Sequence, residues 1–214
     1  MANFGQAMFV GTEVIIHCGE KMSCCDREQS KAKCDNYNSE IAHPDLPGPL
    51  SISPGSSGLA STKSTAQADA WNSFRTAMSN EKDPQKRLQI AKQNSVSPCV
   101  GEQVAARWNQ NRRSSRGLGV QQDHMIEVKW GGPASPGGLK ALGSRVNNFF
   151  GSIAKRTGDD MLEANHDEIS AIHFVCNPPC TPPKKGDENK NYSTGPGKPA
   201  PTGPASPPRT YLAD

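Results

Sequence analysis

The sequence predicts an α+β fold in which a mainly helical domain carries a strand–turn–strand–helix unit. Apolar residues recur at helical spacing between residues 61 and 110. A β-branched and aromatic run, Met125–Trp130, then ends at Gly131-Gly132, as a strand ends at a turn. A cysteine-containing segment precedes this domain, and a proline-rich tail, which we expect to be disordered, follows it.

We expect the chain to divide into three parts. Residues 1–60 form an N-terminal accessory segment that ends in a linker, since Pro44–Gly58 holds four prolines and three glycines. Residues 61–176 form the folded domain. Residues 177–214 form the tail, where ten prolines and four glycines in 38 residues leave too few apolar side chains to build a core.

Three helices are expected at the start of the folded domain. The first has Trp71, Phe74 and Met78 on one face and begins at a cap, Ser64 or Thr65. The second and third begin where a capping side chain precedes a proline. These two junctions are Asp83-Pro84 and Ser97-Pro98, and the third helix buries Val100, Val104 and Trp108.

Charge is distributed unevenly along the chain. The net charge of +3 separates into −3 for residues 1–60, +9 for residues 61–158 and −3 for residues 159–214. A basic middle is typical of a segment that binds a polyanion, because lysines and arginines neutralise phosphates. A solvated basic surface has the same composition. No apolar run approaches the roughly 20 residues of a membrane-spanning helix, so we expect no membrane partner.

An arginine-rich loop lies directly before the predicted strand. Residues 109–119 read Asn-Gln-Asn-Arg-Arg-Ser-Ser-Arg-Gly-Leu-Gly, with arginines at Arg112, Arg113 and Arg116. These side chains are candidates for guiding a phosphate backbone. The alternative is a solubilising loop.

The region after this loop predicts a hairpin followed by a helix. The strand Met125–Trp130 is followed by a short strand or loop over Pro136–Leu142, and Ser144 caps a helix with an apolar face. In such a unit Asp123 and His124 face the first turn of the helix across a small cleft. A carboxylate that binds a hard cation, beside an imidazole that deprotonates water, suits metal-assisted hydrolysis.

A known family shows the same order of residues. The string Asp123-His124-Met-Ile-Glu-Val-Lys-Trp-Gly-Gly, followed by Leu139-x-x-Leu142, Asn147 and Gly151, resembles HNH-type nucleases of the His-Me finger superfamily. It is most similar to the HNH-like toxin domains at the C-termini of bacterial antibacterial effectors, and the likeness covers residues 121–157. The resemblance implies a ββα-metal core and a DNA endonuclease of low sequence specificity.

The resemblance also implies roles for individual residues. His124 would be the general base, Asp123 a metal ligand and Asn147 the second protein ligand, with Asn148 in its place if the helix phase is shifted by one. One divalent cation is implied, Mg²⁺ first, with Zn²⁺, Ni²⁺ or Mn²⁺ as alternatives. The residues expected to bind nucleic acid are Arg112, Arg113, Arg116, Lys129 and Arg145.

Two features complicate this assignment. Gly138 stands where the family often has its middle Asn, so His124 lacks that orienting partner, and a backbone carbonyl is the replacement we consider. His166 and His173 follow the predicted helix, and His173 is an additional candidate site residue. His173 lies in Glu168–Cys176, which is typical of a closing strand.

The cysteine count is odd, so at least one thiol stays outside any set of intramolecular disulfides. The seven are Cys18, Cys24, Cys25, Cys34, Cys99, Cys176 and Cys180. The first four are candidates for zinc binding, for structural thiols or for disulfides. In an oxidising compartment we expect Cys176 to pair with Cys180, or the N-terminal group to pair internally.

If the chain is such a toxin, further expectations follow from the resemblance. A cognate immunity protein with an acidic surface would block the basic cleft. The first residues carry no secretory signal, so we expect secretion without a signal peptide. A contact-dependent apparatus such as the type VI secretion system would deliver the toxin into the target-cell cytoplasm, with residues 1–60 as the delivery segment. In the cytoplasm of the producer the toxin would stay bound to its immunity protein.

Two other interpretations remain open. A non-catalytic nucleic-acid-binding module accounts for the basic middle of the chain, but gives no reason for the Asp-His and Asn pattern. A zinc-stabilised adaptor of a secretion machine accounts for the N-terminal cysteines and the proline-rich tail.

Overall fold

The computed structural model describes residues 4–42, 48–52, 60–125, 127–131, 139–177 and 180. They form the predicted mixture of helices and strands, an α+β fold. Most of the predicted linker, Gly138 and the tail beyond residue 180 lie outside the described residues. In chain order the elements are β1 (Gly5–Val10), β2 (Glu13–Cys18), α1 (Cys24–Ile41), β3 (Leu50–Ser51), α2 (Ala60–Asn80), α3 (Pro84–Gln93), α4 (Pro98–Asn109), α5 (Ser115–Leu118), β4 (Val120–His124), β5 (Leu139–Gly143), α6 (Ser144–Glu163), β6 (Glu168–Ile169) and β7 (Ala171–Val175).

A three-stranded sheet joins the N-terminal residues to the end of the folded domain. β1 and β2 form an antiparallel hairpin whose tight turn contains Gly11 at a φ of +56°. β7 lies parallel to β2. Val14, Ile16 and Ile172 point into the core from this sheet. β7 confirms the predicted closing strand, whereas β1 and β2 were not predicted.

α1 is a helix whose buried face is mainly polar. Ser23 caps it, because its side chain accepts from Asp26 N while Ser23 N donates to the Asp26 carboxylate (2.9 Å). Gln29, Lys33 and Tyr37 are buried at intervals of four residues, so they share one face of the helix. A core-facing helix is normally recognised by an apolar stripe. The hydrophobic pattern therefore does not reveal α1.

α2, α3 and α4 are the three helices that the sequence predicts. α2 begins before both of its predicted caps, Ser64 and Thr65. Asp83 caps α3 as predicted, because its side chain accepts from two backbone amides of the first turn. Ser97 stands at the N-cap of α4, but its side chain makes no cap hydrogen bond. The proline at the first helical position is the part of that prediction that holds.

The predicted strand Met125–Trp130 is wrong. β4 ends at His124, and Val128–Trp130 form a short 3₁₀-helix. The physical reason is a set of contacts with α1: Tyr37 Oη accepts a hydrogen bond from Glu127 N (3.2 Å), and the Trp130 ring packs on the Tyr37 ring. These contacts hold the segment against a helix, whereas a strand would have to hydrogen-bond to a neighbouring strand. β5 confirms the short strand after it and pairs antiparallel with β4.

α6 follows β5 without a loop. Its N-cap residue is Gly143 and not the predicted Ser144, because Gly143 is still paired with Val120 in the hairpin. Gly143 N donates to Gln29 Oε1 (2.8 Å), and Ser144 N donates to Gly119 O (3.1 Å). Other parts of the fold thus satisfy backbone amides at the helix start. The apolar face predicted for this helix is buried.

The β4–β5 hairpin lies between two apolar cores. Leu142 belongs to the first core, together with side chains of the three-stranded sheet, α1 and α6. Val120 and Ala141 belong to the second, with side chains of α2, α3 and α4. Residues 1–60 supply Val14 and Tyr37 to the first core. Their role in delivery stays a prediction.

Six of the seven cysteines form disulfides, which correct the expected pairing. Cys176 and Cys180 do not pair with each other, because each bonds to an N-terminal cysteine. The three bonds are Cys18–Cys176, Cys24–Cys180 and Cys25–Cys99. Cys34 is the free thiol, and it is buried. The four N-terminal cysteines therefore do not form a zinc cluster.

Candidate active site

A buried ionic cluster lies where α1 meets the end of β4. Lys33 of α1 is completely buried, and Asp123 and Glu127 are 2% and 4% exposed. Lys33 Nζ donates to Glu127 Oε1 at 2.7 Å and also to Asp123 Oδ2. One ammonium therefore binds two carboxylates out of contact with solvent, where each interaction is stronger than it would be at the surface.

The position of this cluster depends on α1. Lys33 and Tyr37 are one helical turn apart, so both side chains reach the segment that follows β4. The Tyr37 ring packs at a tilt against Trp130 and stacks on Phe150, with ring centres 5.4 and 6.4 Å away. Lys33 Nζ also lies 5.1 Å from the centre of the Phe150 ring. The aromatic side chains thus enclose the charged groups and exclude water from them.

The two carboxylates hold Lys33 in its charged form. Burial alone lowers the pKa of Lys33, but the negative charges of Glu127 and Asp123 and their hydrogen bonds outweigh burial and raise that pKa above its ordinary value. Burial, with the same two charges, raises the pKa of Tyr37 well above its ordinary value. At neutral pH the site therefore contains an ammonium and a neutral phenol.

Asp123 also faces the first helical turns of α6. One end of the Asn147 carboxamide lies 2.7 Å from Asp123 Oδ2 and 3.0 Å from Oδ1. Its amide nitrogen can donate to the carboxylate from there, and a half-turn of the amide presents its oxygen instead. The other end of the carboxamide contacts the side-chain amide of Gln121. Asn148 is exposed, so Asn147 is the asparagine that meets Asp123.

His124 is the last residue of β4 and is 2% exposed. It pairs with Leu139 across the hairpin and adjoins Asp123 in the chain. The predicted base and the predicted metal ligand are therefore both held on a paired strand, with little freedom to move. The water that His124 would activate has to lie within the protein or at its interface with the substrate.

The residues at this site fit a hard divalent cation in their chemistry. Asp123 supplies carboxylate oxygens and Asn147 an amide oxygen, which are ligands that Mg²⁺ accepts. Lys33 uses one of the Asp123 oxygens, and a carboxylate has lone pairs for further contacts. No group of three or more His, Cys, Asp or Glu side chains suited to a metal occurs within the described ranges. Mg²⁺ in proteins usually keeps several waters and also binds substrate phosphates.

The five basic residues predicted to bind nucleic acid separate into two groups. Arg112, Arg113 and Arg116 are exposed in and beside the loop that leads into α5 and β4, and the Arg113 guanidinium lies 5.5 Å from the centre of the Trp108 ring. Lys129 is largely buried, and Arg145 is exposed, but both side chains make contacts within the protein. The arginine loop is therefore the basic surface that adjoins the hairpin in the chain.

The internal contacts of Lys129 and Arg145 are specific. The Lys129 side chain is 15% exposed and forms an ion pair with Asp159 of α6. Arg145 Nη2 donates to Lys21 O (2.9 Å), and its guanidinium lies over the Phe4 ring at 4.8 Å. These contacts occupy both cations, so we expect a smaller share of phosphate binding from them than from the arginine loop.

The structure places His173 in the three-stranded sheet. Its Nε2 lies 3.1 Å from Glu13 Oε2, and half of its side chain is exposed. It pairs with Ile15 of β2. The His166 ring packs near the Phe9 ring, at 6.1 Å between centres. Within the described part of the chain, neither His166 nor His173 contacts the ionic cluster.

Three residues of the cluster escaped prediction. Lys33 and Tyr37 lie in the N-terminal segment, far along the chain from the Asp-His motif, and no local pattern connects the two regions. Glu127 lies within the motif, but a strand at this position would have made it one of several alternating side chains. The helical spacing of Lys33 and Tyr37 indicates only that they share a face.

Comparison of the chain with protein-family models, with curated proteins and with solved structures gave no match in any of the three. Among the described residues, no helix combines the length and apolar character required to cross a bilayer.

Proposed function

We propose that this chain is a metal-dependent DNA endonuclease of the HNH type with low sequence specificity. The observation that supports this most is the contact between Asp123 and Asn147 (2.7 and 3.0 Å), beside His124. These residues lie on a hairpin that continues directly into a helix, in the order expected of a ββα-metal core. We propose that this unit is a ββα-metal core and that the chain is a member of the HNH family.

In the proposed reaction His124 accepts a proton from the attacking water, whose oxygen forms a bond to phosphorus while the bond to the 3′-oxygen breaks. Asp123 and Asn147 would hold the cation through a carboxylate and an amide oxygen. A bound Mg²⁺ would supply Lewis-acid stabilisation of the charge that develops on the phosphate and on the leaving oxygen. Zn²⁺, Ni²⁺ and Mn²⁺ are the alternatives that this pair of ligands and the adjacent imidazole accept.

The arginine loop gives the proposed nuclease a surface that can hold DNA. Arg112, Arg113 and Arg116 are exposed and precede β4 by a few residues. Contacts between arginine and phosphate position a duplex without reading its sequence, which fits low specificity. The affinity for DNA should then fall steeply as the salt concentration rises.

We further propose that the nuclease is an antibacterial toxin, secreted without a signal peptide and delivered into the cytoplasm of a target cell. The resemblance of residues 121–157 to effector toxin domains supports this. The three disulfides favour a protein that folds in or passes through an oxidising compartment. A cognate immunity protein with an acidic surface is the partner proposed for the basic surface of the arginine loop, and it would protect the producing cell.

The proposal is tested by incubating supercoiled plasmid with the purified protein and Mg²⁺, with EDTA, and with His124→Ala. We expect nicking by the wild type, none in EDTA, and a decrease of at least about 100-fold in His124→Ala, because general-base catalysis contributes roughly 10²–10⁴-fold. His173→Ala is the matched control and should cleave like the wild type. Gel shifts of the same proteins should show equal DNA binding.

The same experiment distinguishes a non-catalytic nucleic-acid-binding module. Such a module would shift DNA in every sample and leave the plasmid intact. A folded wild-type protein with that behaviour would overturn the proposed nuclease.

A further inference from the structure

We propose that Lys33 is a positioning residue of the candidate nuclease site, holding the Asp123 carboxylate in place for cation binding together with Asn147. This inference rests on the proposed function. It assigns to α1, outside the Asp-His motif, a part in the chemistry of the site. Lys33 itself touches neither the substrate nor the cation in this proposal.

The geometry supports the assignment in two ways. Lys33 Nζ donates to Asp123 Oδ2, the carboxylate oxygen that also lies 2.7 Å from the Asn147 carboxamide. The lysine therefore limits rotation of the carboxylate that Asn147 faces. Partners of this kind, which bind a metal ligand without binding the metal, orient the ligand and set its affinity.

The charges of the cluster also support a positioning role for Lys33. With Glu127, the cluster holds one ammonium and two carboxylates and has a formal charge of −1. Without Lys33, two carboxylates would lie close together in a buried site, and a divalent cation could bind between them, away from Asn147. Lys33 thus lies between the two carboxylates and keeps the Asp123 carboxylate turned toward Asn147.

A purely structural role is the competing explanation, because a buried ion pair that loses one partner destabilises a fold. The double variant Lys33→Met/Glu127→Leu separates the two explanations. It replaces the ion pair by apolar side chains, an exchange that folds often tolerate. It also leaves Asp123 as the single carboxylate, so the formal charge of the cluster stays at −1. The contact from Lys33 to Asp123 is lost, together with the Lys33–Glu127 ion pair.

The experiment measures thermal unfolding, plasmid cleavage in Mg²⁺ and Mn²⁺ binding by electron paramagnetic resonance for the full chain. We expect the double variant to unfold near the wild-type temperature, to bind Mn²⁺ about 10- to 100-fold more weakly, and to cleave more slowly by a similar factor. Lys31→Met is the matched control. It removes an exposed lysine of the same helix, paired with Asp35 at 2.6 Å, and should change none of these measurements.

Each other outcome is decisive. A double variant that binds Mn²⁺ and cleaves like the wild type would show that Lys33 is structural. A wild type that cleaves no plasmid would overturn the proposed function and this inference with it, so the two failures are distinguishable. If the double variant does not fold, the variant Lys33→Arg distinguishes a positioning role from a purely structural one. It keeps the charge but changes the hydrogen-bond geometry, so slower cleavage by folded protein supports positioning and wild-type cleavage overturns it.

Discussion

Single ionisable groups explain much of how this site is organised. Asp123 and Glu127 can both be buried because the Lys33 ammonium forms an ion pair with each of them. The cluster also makes this protein sensitive to high pH, since Lys33 and Tyr37 both have raised pKa values. Cys34 is a third such group: burial raises the pKa of its thiol from 9.0 to about 12.

We expect the free energy of unfolding to fall as the pH rises from about 9 to 12. Each of the three groups binds its proton more tightly in the folded protein, so the unfolded chain loses protons first and is favoured as the pH rises. Below about pH 9 the contribution of Cys34 is complete. Urea unfolding at intervals of one pH unit measures the effect.

Cys34→Ala serves as the control for this prediction. Its stability should fall less than that of the wild type between about pH 9 and 10, where the thiol of the unfolded chain ionises to a greater extent than the phenol of Tyr37. A wild-type stability that is constant from pH 8 to 12 would contradict the proposed burial of these groups.

Small residues at helix contacts determine how closely the helices around the hairpin approach one another. α3 and α4 cross at Gly101, where an added Cβ would lie 2.5 Å from Lys92 Cα and 2.7 Å from Lys92 N. These are backbone atoms, so a larger side chain forces the helices apart. Gly151 of α6 is the opposite case, because a Cβ there would meet nothing within 4 Å.

We expect Gly101→Ala to destabilise the fold by about 1–3 kcal/mol, as overpacking usually does. Gly151→Ala should stabilise it by about 0.5–1 kcal/mol, because alanine favours a helix interior more than glycine does. Urea unfolding of the two variants beside the wild type measures both effects. Equal stabilities would show that α3 and α4 do not cross as closely as described.

The elements differ in how well the sequence predicts them. α3 and α4 carry local signals, a cap and a proline, and both lie where expected. α1 has no apolar stripe, since its buried face holds Gln29, Lys33 and Tyr37, whose partners lie about 90 residues or more away along the chain. The strand predicted over Met125–Trp130 is wrong for the same reason, since β4 is Val120–His124. Contacts with α1 determine where the strand stops, and local propensity does not contain them.

In the molecule as a whole, the two ends of the described chain belong to one core. β2 pairs with β7, and the Cys18–Cys176 and Cys24–Cys180 bonds connect the same regions. Cys25–Cys99 joins α1, which carries Lys33, to α4. Disulfides restrict the unfolded chain, so they also help to keep α1 against the hairpin.

The candidate site was predicted only in part. The Asp123, His124 and Asn147 assignments depend on one short stretch of sequence, and the structure brings Asp123 and Asn147 into contact. The share contributed by α1 could not be predicted, because Lys33 and Asp123 are 90 residues apart and their contact depends on the tertiary fold. Their roles in catalysis stay predictions.

Plasmid cleavage by Asn147→Ala beside Asn148→Ala tests the central claim most directly. The two asparagines are neighbours, but Asn147 meets Asp123 and Asn148 is exposed. We predict that Asn147→Ala lowers the rate of Mg²⁺-dependent nicking by about 10- to 100-fold or more, since it removes one of the two proposed protein ligands, and that Asn148→Ala cleaves like the wild type. Equal cleavage by both variants at the wild-type rate would contradict a catalytic cation held by Asp123 and Asn147.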